Sequence, residues 1–314
     1  MKEFDKFCIK LGDDYKNNYH IICTDNEYNN GKALDLKINK QQFIQASSEQ
    51  IYYYWLKNIF TSLSYDTEVN SPKDVDIYYD GEPFNLRIEV KTPIIEIIED
   101  DYDTNLIKIK QEHRYDNIPK EQSPTYKAFH KYIENLVIDI NNVSNKTGKH
   151  AKSFDIKDLK LDTFLKNANE KFLKPDNKSI NILLLCLNTG SFSEYLDYIM
   201  NMDTGLFSND PYINNTRYSN IDFIILSNCC DAHLRNDLNF NVWDATNYIH
   251  FVIPLHLTDV ILKDKGNFLA KLFKDEFMYF YNNKDKIYNK LNTGDIQLQF
   301  AEFLSKRHPM FCKL

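Results

Sequence analysis

Two acids and a lysine, placed as Asp76 and Glu89-Val90-Lys91, could hold a divalent cation and a water beside a phosphate. Hydrolysis of that kind needs about two carboxylates on the cation, open coordination sites, and a charged or basic group at the attacking water. Asp76 and Glu89 would be the carboxylates, and the Val90 carbonyl a further oxygen. Lys91 would orient or deprotonate the water and offset the developing charge. Glu49, earlier in the chain, could reach the same place as an accessory or second-metal ligand. Asp74 and Asp76 would share one side of a strand, and Asp76 is the better flanked, between Val75 and Ile77.

An acid-x-lysine triplet alone carries little. The chain also contains Asp14-Tyr15-Lys16, Asp35-Leu36-Lys37, Asp155-Ile156-Lys157, Asp158-Leu159-Lys160 and Asp176-Asn177-Lys178. The elements around 76–91 set that stretch apart. Asp74 to Asp80 and Phe84 to Lys91 read as two strands, with Asp80-Gly81 as a hairpin turn. Side chains alternate along a strand, so Glu89 and Lys91 face one way while Ile88 and Val90 enter a core. A helix is expected over Ser47 to Leu63, with Ser47 or Ser48 as N-cap, Glu49 in its first turn, and Ile51, Tyr54, Trp55, Ile59 and Phe60 at helical spacing. The nearest rival set, Asp25 with Asp35-Leu36-Lys37, has no helix before it. The bland alternative is a solvated strand face on which Arg87, Glu89 and Lys91 form ordinary cross-strand pairs.

The order of helix with Glu49, then Asp76, then Glu89-Val90-Lys91 resembles the PD-(D/E)xK nuclease superfamily, over residues 46–92 and more loosely 180–230. The resemblance implies an α/β, restriction-endonuclease-like αβββαβ core with a mixed sheet, in which Ile182–Leu187 is a later core strand. It implies Mg²⁺, with Mn²⁺ as a substitute, held by Asp76, Glu89, Val90 and Glu49. Catalysis would fall to Asp76, Glu89, Lys91 and Glu49. The implied activity is phosphodiester hydrolysis in nucleic acid, DNA above all, in restriction or anti-phage defence, with a homodimer or partner protein as further associations. Val75 stands where the family name has proline. Gln-x-x-x-Tyr, a mark of one branch, occurs at Gln50–Tyr54, Gln111–Tyr115 and Gln122–Tyr126, so it selects no branch. The opposing reading is an inactive nuclease-fold subunit that recruits a partner.

The rest of the chain frames this. Residues 1–45 form an extension with strand-like pieces at 19–23 and 33–38 around Asn30-Gly31. Residues 46–262 form the core, with a helical insertion at about 93–180 carrying helices over Tyr126–Val143 and Leu161–Phe172. Apolar strands are expected at 180–187, 221–226 and 248–255, a helix over 191–201, and C-terminal helices within 263–314 packed on the core. A net charge of −7 argues against a protein that simply coats nucleic acid. Eight glycines are too sparse for a phosphate-cradling or dinucleotide loop. Cys229-Cys230-Asp231-Ala232-His233 has no second pair at zinc spacing. Met1 to Lys6 leads into no apolar run, so the expectation is a cytoplasmic protein with reduced thiols and no membrane segment.

Overall fold

The computed structural model describes residues 40–70, 73–93, 103, 105–111, 124–201, 205–208, 215–234, 240–256, 261–281 and 296–312. The strand-like pieces at 19–23 and 33–38, and the rival acids Asp25 and Asp35, lie outside them. The helices are α1 (Lys40–Lys57), α2 (Pro124–Thr147), α3 (Leu161–Lys171), α4 (Thr189–Met200), α5 (Ile261–Phe273) and α6 (Ile296–Arg307). The strands are β1 (Leu63–Asn70), β2 (Lys73–Tyr79), β3 (Asn85–Lys91), β4 (Leu106–Gln111), β5 (His150–Asp155), β6 (Ser179–Cys186), β7 (Phe223–Ser227) and β8 (His250–Pro254).

Six strands make one mixed sheet in the order β1-β2-β3-β6-β7-β8. β1, β2 and β3 run antiparallel in turn, β3, β6 and β7 are parallel, and β8 closes antiparallel on β7. β6 is buried at every position, as its continuous run of apolar residues requires of a central strand covered on both faces. Ile44, Ile51, Tyr52, Trp55 and Leu56 of α1, with Leu269 and Phe273 of α5, pack on the face carrying Ile88, Val90, Ile182 and Leu184. The opposite face, with Leu183, Leu185, Ile224 and Leu226, is covered by α3, α4 and α6. The chain is thus a helix–sheet–helix sandwich of the α/β class. Among the described residues no helix is long and apolar enough to cross a membrane.

Three expectations are corrected. The first helix begins at Lys40 and ends at Lys57, so Ser47 and Ser48 lie in its middle. Both are buried, and the Ser47 hydroxyl donates to the Ile44 carbonyl at 3.2 Å. Their small side chains let the helix approach the sheet, which outweighs serine's preference for a cap. Leu63, expected inside the helix, instead starts β1, whose alternation of Leu63, Tyr65 and Thr67 with polar residues suits an outer strand. The insertion is not wholly helical either: β4 and β5 form a two-stranded parallel sheet beside α2. Lys108 on β4 pairs at 3.1 Å with Glu194 on α4 and ties the insertion to the core.

The register of β2 on β3 positions everything that follows. Ile77 faces Ile88, Tyr78 faces Arg87 and Tyr79 faces Leu86, and there the ladder ends. Over 89–91, β3 is laddered only on its other side, to β6. The link between the strands is longer than a two-residue turn; it occupies residues 80–84, where the Gly81 amide donates to the Asn85 side chain at 3.0 Å.

Candidate active site

Where β2 leaves β3, a backbone amide on β3 has lost its strand partner, and a buried N–H cannot be left empty. Asp76 supplies the acceptor: its Oδ2 takes the Val90 amide at 2.7 Å. That bond draws the carboxylate over the place where Glu89 and Lys91 emerge on the same side of β3. Asp74, two residues earlier, is exposed and stays outside the cluster.

Glu89 is fully buried. The Lys91 ammonium lies 2.5 Å from its Oε1 and 3.8 Å from Asp76 Oδ2. A second ammonium, from Lys171 in the last turn of α3, lies 2.9 Å from the same Oε1 and 3.9 Å from Asp76 Oδ1. Both lysines meet Oε1, and among the described residues the buried Glu89 Oε2 has no hydrogen-bond partner. Lys91 also donates to the Val90 carbonyl at 3.0 Å.

Glu49 sits in the third turn of α1, not the first, and is half-buried. Its Oε2 accepts from the Tyr65 hydroxyl of β1 at 2.6 Å, and its Oε1 from Gln45 Nε2 at 2.6 Å. Gln45, one turn before Glu49, is the clamp between helix and strand. Its Nε2 also donates to the Val90 carbonyl at 2.7 Å, while its Oε1 accepts from the Thr92 amide at 2.9 Å and the Thr92 hydroxyl at 3.0 Å. In effect the side-chain amide continues the ladder that β2 abandons. The Val90 carbonyl, expected as a cation ligand, is thereby engaged by Gln45 and Lys91. Gln45→Ala is expected to cost about 1–2 kcal/mol of stability, because the buried Thr92 amide loses its acceptor; urea denaturation checks it.

The electrostatics follow from the packing. Burial raises the pKa of Glu49 to about 7, and the Asp76 charge adds to the shift, while Tyr65, Gln45 and Lys91 draw it back. Glu89 is likewise held above the ordinary carboxylate range by burial and then by Asp76, against the pull of Lys91 and Lys171. For Lys91, burial works against the charge, but Asp76, Glu89 and Glu49 outweigh it and hold its pKa above the usual lysine value. A glutamate whose folded pKa exceeds its unfolded one keeps a proton that the unfolded chain releases. Between the ordinary 4.5 and about 7, rising pH therefore removes stability. Glu49→Gln, which mimics the protonated form, is expected to flatten that fall; denaturant midpoints at pH 5 and pH 8 measure it.

Asp76, Glu89, Lys91 and Glu49 are thus brought together and Asp74 is not. Lys171, Gln45 and Tyr65 are additions. Gln45 was findable as a polar residue four before Glu49 and four after Gln41, on one side of the helix. Lys171 had no local signal, since it arrives from an element 80 residues beyond Lys91. As a candidate cation site, the cluster offers the hard carboxylate oxygens of Asp76 and Glu89, the donor type that Mg²⁺ takes, one of them buried without a hydrogen-bond partner among the described residues. Among the described residues no three of His, Cys, Asp and Glu converge to hold a metal unaided. No family model, curated protein or solved structure matches the chain.

Proposed function

We propose that the chain is a Mg²⁺-dependent nuclease hydrolysing phosphodiester bonds in DNA, with its core in the PD-(D/E)xK arrangement. The observation that carries the reading is the gathering of Asp76, Glu89 and Lys91 where β2 and β3 part, with Glu89 Oε2 buried and, among the described residues, without a hydrogen-bond partner. A solvated strand face, the bland alternative, would not bury Glu89 completely. The order α1-β1-β2-β3, then α3 and β6, fits the resemblance, with the insertion carried between β3 and α3.

Asp76 and Glu89 would hold the cation, which would neutralise the phosphate and lower the pKa of a bound water. Lys91 would orient the attacking water and offset charge as its oxygen bonds to phosphorus and the P–O ester bond breaks, the leaving oxygen taking its proton from solvent. Glu49, with a pKa near neutrality, stands by as the accessory acid, steered by Tyr65 and Gln45. Gln45 and the β6 ladder fix the strand from which Glu89 and Lys91 project.

The test is incubation of the purified chain with plasmid, linear and single-stranded DNA in Mg²⁺ or Mn²⁺, beside Glu89→Ala. Cutting is expected with the divalent ion and absent in chelator or in the variant. Cutting that survives Glu89→Ala overturns the assignment. No cutting by folded wild type favours the inactive subunit that recruits a partner.

A further inference from the structure

The two lysines at Glu89 are not equivalent. Lys91 belongs to β3 itself and is also bonded to the Val90 carbonyl. Among the described residues, Lys171 has polar contact only with the two carboxylates. Its side chain is 25% exposed, and residues 173–178 beyond it are all exposed. Phe172, fully buried, anchors the backbone next to it. Lys91 is nearly as exposed, at 20%, but its bond to the Val90 carbonyl holds it to β3, so the flexible stem of Lys171 is the freer to swing out.

A divalent cation shared by Glu89 and Asp76 would lie among both ammoniums, because each lysine already bridges those two carboxylates. The ammoniums lie 2.5 and 2.9 Å from Glu89 Oε1 and 3.8 and 3.9 Å from the Asp76 carboxylate. Like charges at that spacing repel strongly in a buried site. One ammonium must withdraw, and Lys171 is the one held less. A phosphate backbone arriving at the site offers the withdrawn ammonium a new anion.

We propose that Lys171 is a tethered counter-ion which a divalent cation displaces from Glu89, so that cation and nucleic-acid phosphate bind this site cooperatively. This rests on the nuclease reading and adds the order of loading to it. The lysine neutralises the carboxylates in the free protein and neutralises phosphate in the complex. Each ligand removes an obstacle to the other, and by linkage the effect is reciprocal.

The probe is Ca²⁺, titrated calorimetrically into the full chain with and without a short DNA duplex. For wild type, DNA is expected to tighten Ca²⁺ binding by about tenfold, within the usual range of coupling between sites. Lys171→Met keeps the apolar stem and should bind Ca²⁺ about tenfold more tightly than wild type without DNA, with little further gain from DNA. Lys171→Gln should do the same, and Lys171→Arg should behave as wild type. If the Met and Gln variants bind no more tightly than wild type while Glu89→Gln loses binding, the cation site stands and the counter-ion role falls. If no form takes up Ca²⁺ although all melt as folded proteins, both the role and the nuclease reading fall.

Discussion

Lys91→Ala is expected to slow DNA cleavage by about a thousandfold while leaving a folded protein. The magnitude follows from two roles in one ammonium. Positioned acid–base or water-orienting groups contribute roughly 10²–10⁴-fold, and a fixed charge aimed at a developing oxyanion about 10²–10³-fold. The effects overlap because they belong to one group. The fold should tolerate the change, since Lys171 still faces Glu89 and Glu89 is already biased toward taking a proton. Lys91→Arg should not restore the rate, because a planar guanidinium cannot place its charge where the compact ammonium lies between Asp76, Glu89 and the Val90 carbonyl. Single-turnover cleavage at saturating Mg²⁺, with a denaturation curve for each variant, decides the matter. A loss of less than tenfold in Lys91→Ala would remove Lys91 from the chemistry.

At Asp76 the two substitutions should separate. Asp76→Ala leaves the Val90 amide buried without an acceptor and two ammoniums short of an anion, and should cost about 3 kcal/mol of stability. Asp76→Asn keeps an oxygen for that amide, loses only the charge facing the two ammoniums, and should therefore cost clearly less than Asp76→Ala. It lacks the charge that a cation needs, and cleavage should fall in both variants. Urea midpoints set beside cleavage rates read the two effects apart. Equal destabilisation by Ala and Asn would mean that the charge, not the cap, secures β2 at its departure from β3.

The sequence was most legible where burial is uniform or alternation strict. The apolar run at 180–187 announced β6, and Glu89-Val90-Lys91 announced the side of β3 on which its charges emerge. The short spacing from Asp76 to Glu89 also survived folding, because a hairpin converts neighbours in sequence into neighbours in space. Local propensity misled at the first helix, where serines buried for close packing look like caps. At β4 the alternation Ile107-Lys108-Ile109-Lys110 runs over only four residues, and β5 is too short and polar to show a clear period. Lys171 was invisible for a different reason. Its place depends on how α3 lies against the sheet, a tertiary fact that no window around Glu89 contains.

Glu49 and Gln45 come from the helical layer on one side of the sheet, Lys171 from the layer on the other, and Asp76 and Glu89 from between them. A chain being made from its N-terminus reaches Lys91 long before it has β6 to hold β3, or α3 to supply the second ammonium. The half-synthesised protein therefore carries all the carboxylates of the site without the β6 ladder that holds β3. Whatever cutting the finished molecule does, a ribosome-bound or truncated fragment ending before Ser179 should be harmless to the nucleic acid around it.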